Sequence, residues 1–414
     1  MNKKLYPICL CAVSLLATSG RAQTTTTTTT TTPATPTPAA VAAAPAAPAA
    51  APTSPVSTPA MEGPLAVNVK PESFDIPDFG KIYVSGALTG LAFAENNPYP
   101  GDRKYLADVS NAQIFVQKVD GAFQFFLQGG VYSLPSLGAG YLTAGTATTD
   151  LYGPLPQAFA KIVSGNFSIE AGKLPTLVGA EYTFTFENMN IFRGLLWNQE
   201  TAVSRGIQAN YTAGPVALSV SWNDGFYSDR FNWLSGSAAW TISSSSTLAL
   251  VVAGNLGTTD YSNSLATPLV QNNDQQLDNL IYSYINGPVI LQAYVQYAEA
   301  KANAYLGYTH SGSTTGWGVL ANYAVPNTSV NLSGRVEYIT SSGSLTDGSP
   351  NLLYGPGSNA WSFTFTPSYQ SGVLFTRAEA SIVQTGNATD GLDLGPSLTN
   401  HYQFRFAVEA GILF

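Results

Sequence analysis

From Lys81 to Phe414 the chain repeats one pattern: segments of about 9 to 14 residues in which apolar and polar side chains alternate, divided in turn by a very short break and a long one. A strand shows successive side chains to opposite faces, so each segment has one apolar and one polar face. The last, "HYQFRFAVEAGILF" (401–414), places Tyr402, Phe404, Phe406, Val408, Ala410 and Ile412 on one side, and Gln403, Arg405, Ala407 and Glu409 on the other. The short breaks include "DG" (120–121), "GN" (165–166), "NGP" (286–288) and "QSG" (370–372), while some long ones approach thirty residues. Tight turns at one end and long loops at the other are the plan of a transmembrane antiparallel β-barrel. The all-β pattern predicts sixteen strands, from 81–94 to 401–414. "ANAYLGYTH" (302–310) also alternates, but a crossing there would put "VPNTS" (325–329) on the wrong side and make the count odd. Single-chain bacterial barrels have even strand numbers, so 302–310 is assigned to an outer loop.

Composition excludes the competing classes. Charged residues make up only 10% of the chain, against roughly a quarter in soluble domains. Aromatics reach 12%, and there is no apolar run of the ~20 residues that a membrane helix needs. A net charge of −8 argues against nucleic acid as a partner. The N-terminus has Lys3 and Lys4, an apolar run from Leu5 to Ala17 and small residues before a cut after Ala22, which predicts a signal peptide over 1–22. Both cysteines, Cys9 and Cys11, lie in it, so the exported chain has no thiol. Residues 23–79 begin with a Thr/Pro/Ala tract that cannot bury a core and predict a disordered periplasmic tether and lead-in. The barrel is expected over 80–414, in the bacterial outer membrane.

The charged side chains test that expectation. Arg335 and Glu337 lie opposite Val336 and Tyr338, and Arg377 and Glu379 lie opposite Ala378 and Ala380; Arg405 and Glu409 behave alike on the final strand. All six fall five to nine residues from the turn end of their strands, near mid-membrane, where a lipid-facing Arg costs ~2–4 kcal/mol. They are therefore expected to line a wet pore lumen. Arg205 breaks the rule by sharing parity with Ile207 and Tyr211, so it belongs at the headgroup rim or it faces lipid.

The stretch "GKLPTLVGAEYTFTFENMNIFRGLLWNQETAVSRGIQANYTAGPVALSVSWNDGFYSDRFNWLSGS" (172–237) resembles the OmpL-like outer-membrane β-barrel porins of Gram-negative bacteria, with a weaker likeness from about residue 80 to the end. The resemblance implies a channel for small solutes and offers no catalytic residues. The terminal Phe414 with Ile412 likewise resembles the signal by which barrel-assembly machinery recognises such proteins for insertion. Within the matching stretch, 174–201 is the longest outer loop and too apolar to be free in water, with Phe184, Phe186, Met189, Ile191, Phe192, Leu196 and Trp197. It is read as a constriction loop carrying Glu181, Glu187, Arg193 and Glu200, with Met189, Phe192 and Leu196 spaced for one helical face.

Catalysis finds little footing. His310 and His401 have no nucleophile pattern nearby, no G-x-S-x-G occurs, and Asp224 and Asp229 read as solvated loop charges. "QNNDQQLDN" (271–279) and "NATDGLD" (387–393) are oxygen-rich but lack the spaced ligands of a calcium loop. The expectation is a porin for passive diffusion of small hydrophilic solutes and ions, needing no cofactor and no metal and holding no enzyme site. Outer-membrane lipid and a homotrimer are its expected surroundings. The alternative is a structural or adhesive barrel tethered toward the cell wall.

Overall fold

The computed structural model describes residues 54–56, 58–257, 275–304 and 307–414. The signal peptide over 1–22, the Thr/Pro/Ala tract to residue 53 and residues 271–274 of the Asn/Gln-rich stretch lie outside them. A short strand, β1 (Glu72–Ile76), precedes the sixteen of the barrel: β2 (Gly80–Glu95), β3 (Tyr105–Lys118), β4 (Phe123–Tyr132), β5 (Gln157–Ser164), β6 (Phe167–Pro175), β7 (Val203–Ala213), β8 (Val216–Asn223), β9 (Trp233–Ser243), β10 (Ser246–Asn255), β11 (Gln275–Asn286), β12 (Val289–Ala300), β13 (Gly312–Ala324), β14 (Val330–Ser341), β15 (Asn359–Ser371), β16 (Leu374–Gly386) and β17 (Tyr402–Leu413). Each pairs antiparallel with the next, and β17 returns to pair with β2 from Arg405↔Glu95 to Leu413↔Ala87. Closure removes every unpaired edge, which is the condition for strands to cross a bilayer. Residues 302–310 lie in the connection between β12 and β13, where Asn303 and Tyr308 form an isolated bridge.

Local chemistry places the turns. Gly165 and Gly287 sit at φ 59° and 55°, the left-handed conformation that a two-residue hairpin demands and that glycine adopts without a Cβ penalty. The alternation then sorts the faces. On β17, Phe404 and Phe406 are 47% and 48% exposed toward the membrane, while Arg405 between them and Glu409 beyond them are at 2% and 1%.

Two expectations about the periphery change. Arg205 does point outward, at the loop end of β7, where its guanidinium lies 2.7 Å from Asp224, beside Asp229 and over the Tyr227 ring at 4.0 Å. Asp224 is buried, so it is a counter-charge of Arg205 and not a solvated loop group, whereas Asp229 pairs with the same guanidinium while staying exposed. The lead-in is no free tether either. β1 pairs with the start of β2, and Leu65 is buried with Phe115, Phe375 and Leu413 in the turn-side mouth of the barrel. A segment with that much apolar surface gains more by packing than by solvation.

The seam ends on Phe414, whose backbone exchanges two hydrogen bonds with Gly86 (2.8 and 3.0 Å). Its ring lies where a Cβ on Gly86 would stand, 2.5 Å from Cζ. Deleting Phe414 is expected to lower the yield of heat-modifiable, folded barrel on cold gels without altering the unit conductance of inserted molecules. Undiminished yield would show that the seam closes independently of it.

Candidate functional site

The interior is defined by what the strands can point into it. Side chains reach inward, whereas strand backbone is consumed by the ladder, so what is lodged inside can take hydrogen bonds from the wall only through its side chains. The loop 174–201 is lodged there. Met189, Ile191, Phe192 and Leu196 are fully buried, and Phe192 meets Phe93 of β2 edge-on at 5.5 Å. The loop holds only two 3₁₀ turns, Thr185–Glu187 and Leu196–Gln199, so the helical face expected over 189–196 does not form. Peptide groups at Thr185, Asn188, Ile191, Phe192, Leu195 and Leu196 bond to side chains of the wall instead of along a helix axis.

The wall answers those peptide groups with charge. Glu337 accepts from Leu195 N and Leu196 N at 3.0 and 3.3 Å, and Glu379 accepts from Ile191 N at 2.6 Å and from Phe192 N at 3.3 Å. Arg377 donates to the carbonyls of Asn188 and Thr185 at 2.8 and 2.6 Å while pairing with Glu409 at 2.6 Å. Glu409 also accepts from the Thr185 hydroxyl at 2.7 Å. Arg335 donates to Phe192 O at 2.9 Å, pairs with Glu181 of the loop at 2.5 Å, and lies 3.2 Å from Glu337. Gly194 passes so close to Glu337 that a Cβ would fall 2.0 Å from Oε1. Arg405 bridges to Glu95 across the closing seam at 2.6 Å and lies over the Phe192 ring at 4.3 Å.

Arg335, Glu337, Arg377, Glu379, Arg405 and Glu409 thus face inward, as their parity requires, but they do not line water. All six are buried beneath the loop. The expectation of a wet wall assumed that unpaired charges would need solvent. Here the peptide groups of the loop and opposite charges take the place of solvent.

Outer loops cover this plug from above. Leu137 N donates to Arg193 O, Tyr354 donates to Gly138 O, and Gln199 donates to Leu352 O. Arg193 itself stacks on Trp197 at 4.6 Å, and its guanidinium has no hydrogen-bond partner among the described residues. Glu200 is similarly buried with neither carboxylate oxygen partnered among them. His401 pairs with Asp393 at 2.6 Å, and Asp393 also accepts from Thr385 and Leu394 N, which ties down the 387–393 loop. Among the described residues no cluster of three or more His, Cys, Asp and Glu forms a metal site.

Sequence reasoning missed Glu95, Thr185, Asn188 and Gln199. Glu95 was within reach, because it shares inward parity with Leu91 and Phe93 and meets Arg405 once the last strand is laid against the first. The other three carry no periodic signal.

Among known proteins, the sequence matches the family described as "Putative beta-barrel porin-2, OmpL-like" over residues 81–414. Its fold is similar to the anion-selective porin from Comamonas acidovorans (12% identity, TM-score 0.55, covering 83% of this chain and 100% of that one). It is similar also to Salmonella typhi OmpF in complex with daunomycin (14%, 0.55, 83% and 100%) and to the trimer form of OmpT from Vibrio cholerae (13%, 0.52, 80% and 99%). At these identities the likeness is one of fold. No curated protein matches the sequence.

Two outcomes follow from the packing. Arg335→Met strands Glu181 and Glu337 without their shared cation, a loss of ~3–5 kcal/mol for a broken buried pair. The 174–201 loop in otherwise intact barrels should then become cleavable by protease, and unchanged resistance would show that the pairs do not hold it. The second outcome concerns pH. Burial pushes the carboxyl of Glu181 up to about 7 and that of Glu187 up to about 8, and lifts Glu200 well above the usual range. A carboxyl raised in the packed state stabilises that state fully below its free value near 4.5, and the contribution is lost as pH climbs through the raised one. Conductance should therefore increase between about pH 5 and 8, and a flat profile would remove these carboxyls from control of the loop.

Proposed function

The chain belongs to the OmpL-like β-barrel porin family of the bacterial outer membrane, and from the packing of its interior we infer that diffusion through it is controlled by the loop 174–201. Small hydrophilic solutes and ions pass down their gradients through the barrel, and family and fold point to a channel rather than an enzyme. The observation that carries the inference is the way the loop is held. Its backbone is bonded to Glu337, Glu379, Arg335 and Arg377, and beyond Pro175, where β6 ends, it is not part of the barrel's strand ladder. Its backbone contacts at Arg193 go to the outer-loop residues Pro135 and Leu137 and not to a barrel strand, so the segment can leave without breaking the barrel.

In this assignment Glu181, Glu187, Arg193 and Glu200 belong to the movable element, and the six wall charges are its receptors. When the loop leaves, the same six become the charged lining of the pore and set its selectivity. Arginines and glutamates would then act on solute as they now act on peptide groups. A trimer in the membrane is part of the proposal, supported by the fold shared with a trimeric form of OmpT. Outer-membrane lipid would meet the apolar faces outside the contacts between subunits, and barrel-assembly machinery would receive the Ile412–Phe414 end.

The test is excision. Replacing 176–199 with a short Gly/Ser link should leave a folded barrel whose single-channel conductance in planar bilayers exceeds that of the full chain severalfold. A folded variant with the conductance of its parent would place the restriction elsewhere.

A further inference from the structure

The loop is not the only segment inside the barrel. Residues 58–66 enter the turn-side mouth, reach the underside of the loop and return to the same rim. At the rim, Gln117 near the end of β3 donates to Thr58 O at 2.6 Å. At the deepest point Glu62 N donates to Glu187 O at 2.8 Å, and Met189 N donates to the Glu62 carboxylate at 3.0 Å. On the way out, Gln370 near the end of β15 both accepts from Ala66 N at 2.8 Å and donates to Ala66 O at 2.9 Å. Leu65 lies buried against Phe375 and Leu413, at the turn ends of β16 and β17. The segment is therefore a hook inserted from the periplasmic side.

Three features distinguish this hook from ordinary packing. It touches the loop through the backbone of Glu187 and Met189, next to the carbonyls that Arg377 holds from the wall, so loop and hook support one another. Both of its ends are at the rim, and it lies outside the strand ladder, so it can withdraw without unthreading or breaking a strand pair. Its exit leads directly into β1, whose residues are all exposed and which pairs only with β2 among the described strands. That hairpin keeps the hook beside the mouth when it is out.

We propose that residues 58–66 are a built-in blocker of this porin: a hook that stops the periplasmic half of the pore and locks the 174–201 loop in its packed position, with Glu62 as the positioning residue. The proposal rests on the channel assignment above. Opening from the periplasmic side would begin with withdrawal of the hook, which frees Met189 N and Glu187 O and leaves the loop held by the wall and the outer loops. Closing would be the reverse, an intramolecular event made frequent by the short span between the hook and β1.

The experiment compares three full-length proteins in planar bilayers: the parent, a variant with 58–66 replaced by Gly/Ser of equal length, and Glu62→Ala, whose side chain bonds to the loop at Met189 N. Loss of one or two net hydrogen bonds to the loop predicts a roughly tenfold rise in the open-to-closed ratio. The replacement variant should show at least that change and Glu62→Ala a smaller one in the same direction. A synthetic peptide with the sequence of residues 58–66, added to the periplasmic side of the replacement variant, should restore the closed level. The same peptide on the outer side, or one of reversed sequence, should not. Equal open-to-closed ratios in all three proteins, with no peptide effect on either side, would overturn the hook as a blocker. If the replacement variant conducts no ions even after 176–199 is also excised, the channel assignment itself fails, a result distinct from equal conduction.

Discussion

Everything in the interior depends on finding partners for the backbone of a buried loop. A chain segment without regular structure carries a donor and an acceptor at nearly every residue, and each one left unpaired away from water costs about 1–3 kcal/mol. The strands cannot supply those partners, since their own backbone closes the barrel. The wall therefore supplies ions: carboxylates where the loop presents N–H, as at Ile191 and Leu195, and guanidiniums where it presents C=O, as at Thr185, Asn188 and Phe192. Charge-assisted bonds are the strong kind, and each wall arginine also neutralises a glutamate at its side.

That arrangement sets limits on what the charges do. A buried ion pair adds little net stability compared with apolar side chains of similar volume, but removing one partner is expensive. The pairs Arg335–Glu181 and Arg377–Glu409 accordingly specify where the loop sits more than they strengthen the barrel. The same groups can serve two states, because a lumen filled with water would solvate them as well as peptide groups do. An apolar interior could hold a plug too, but it would have nothing to offer a polar solute once the plug moved.

Outside, the balance is simpler. Lipid-facing positions carry Phe404, Phe406, Phe363 and Phe365 in the open, and the charges that cannot face inward are confined to the rim, where Arg205 meets two aspartates and a tyrosine ring. Its position tested the parity rule hardest, and the rule survived because the side chain lies at the end of β7 rather than at its middle.

Much of this was legible without coordinates. Alternation is local: whether Arg377 or Ala378 faces the lumen follows from its distance in residues along one strand, so strand positions, the count of sixteen and the inward direction of all six wall charges could be read from the sequence alone. The turn glycines and the aromatic terminus belong to the same category. Where the loop sits, and what it touches, could not be read that way. Leu195 meets Glu337 across 142 residues of chain, Asn188 meets Arg377 across 189, and Glu62 meets Met189 across 127. Such contacts depend on closure of the barrel, which brings side chains from remote strands around one axis and leaves a volume that loop and hook compete with water to fill. The sequence by itself determined a closed barrel with a charged inner wall; only the tertiary structure decided that this wall would be sealed against backbone instead of solvent.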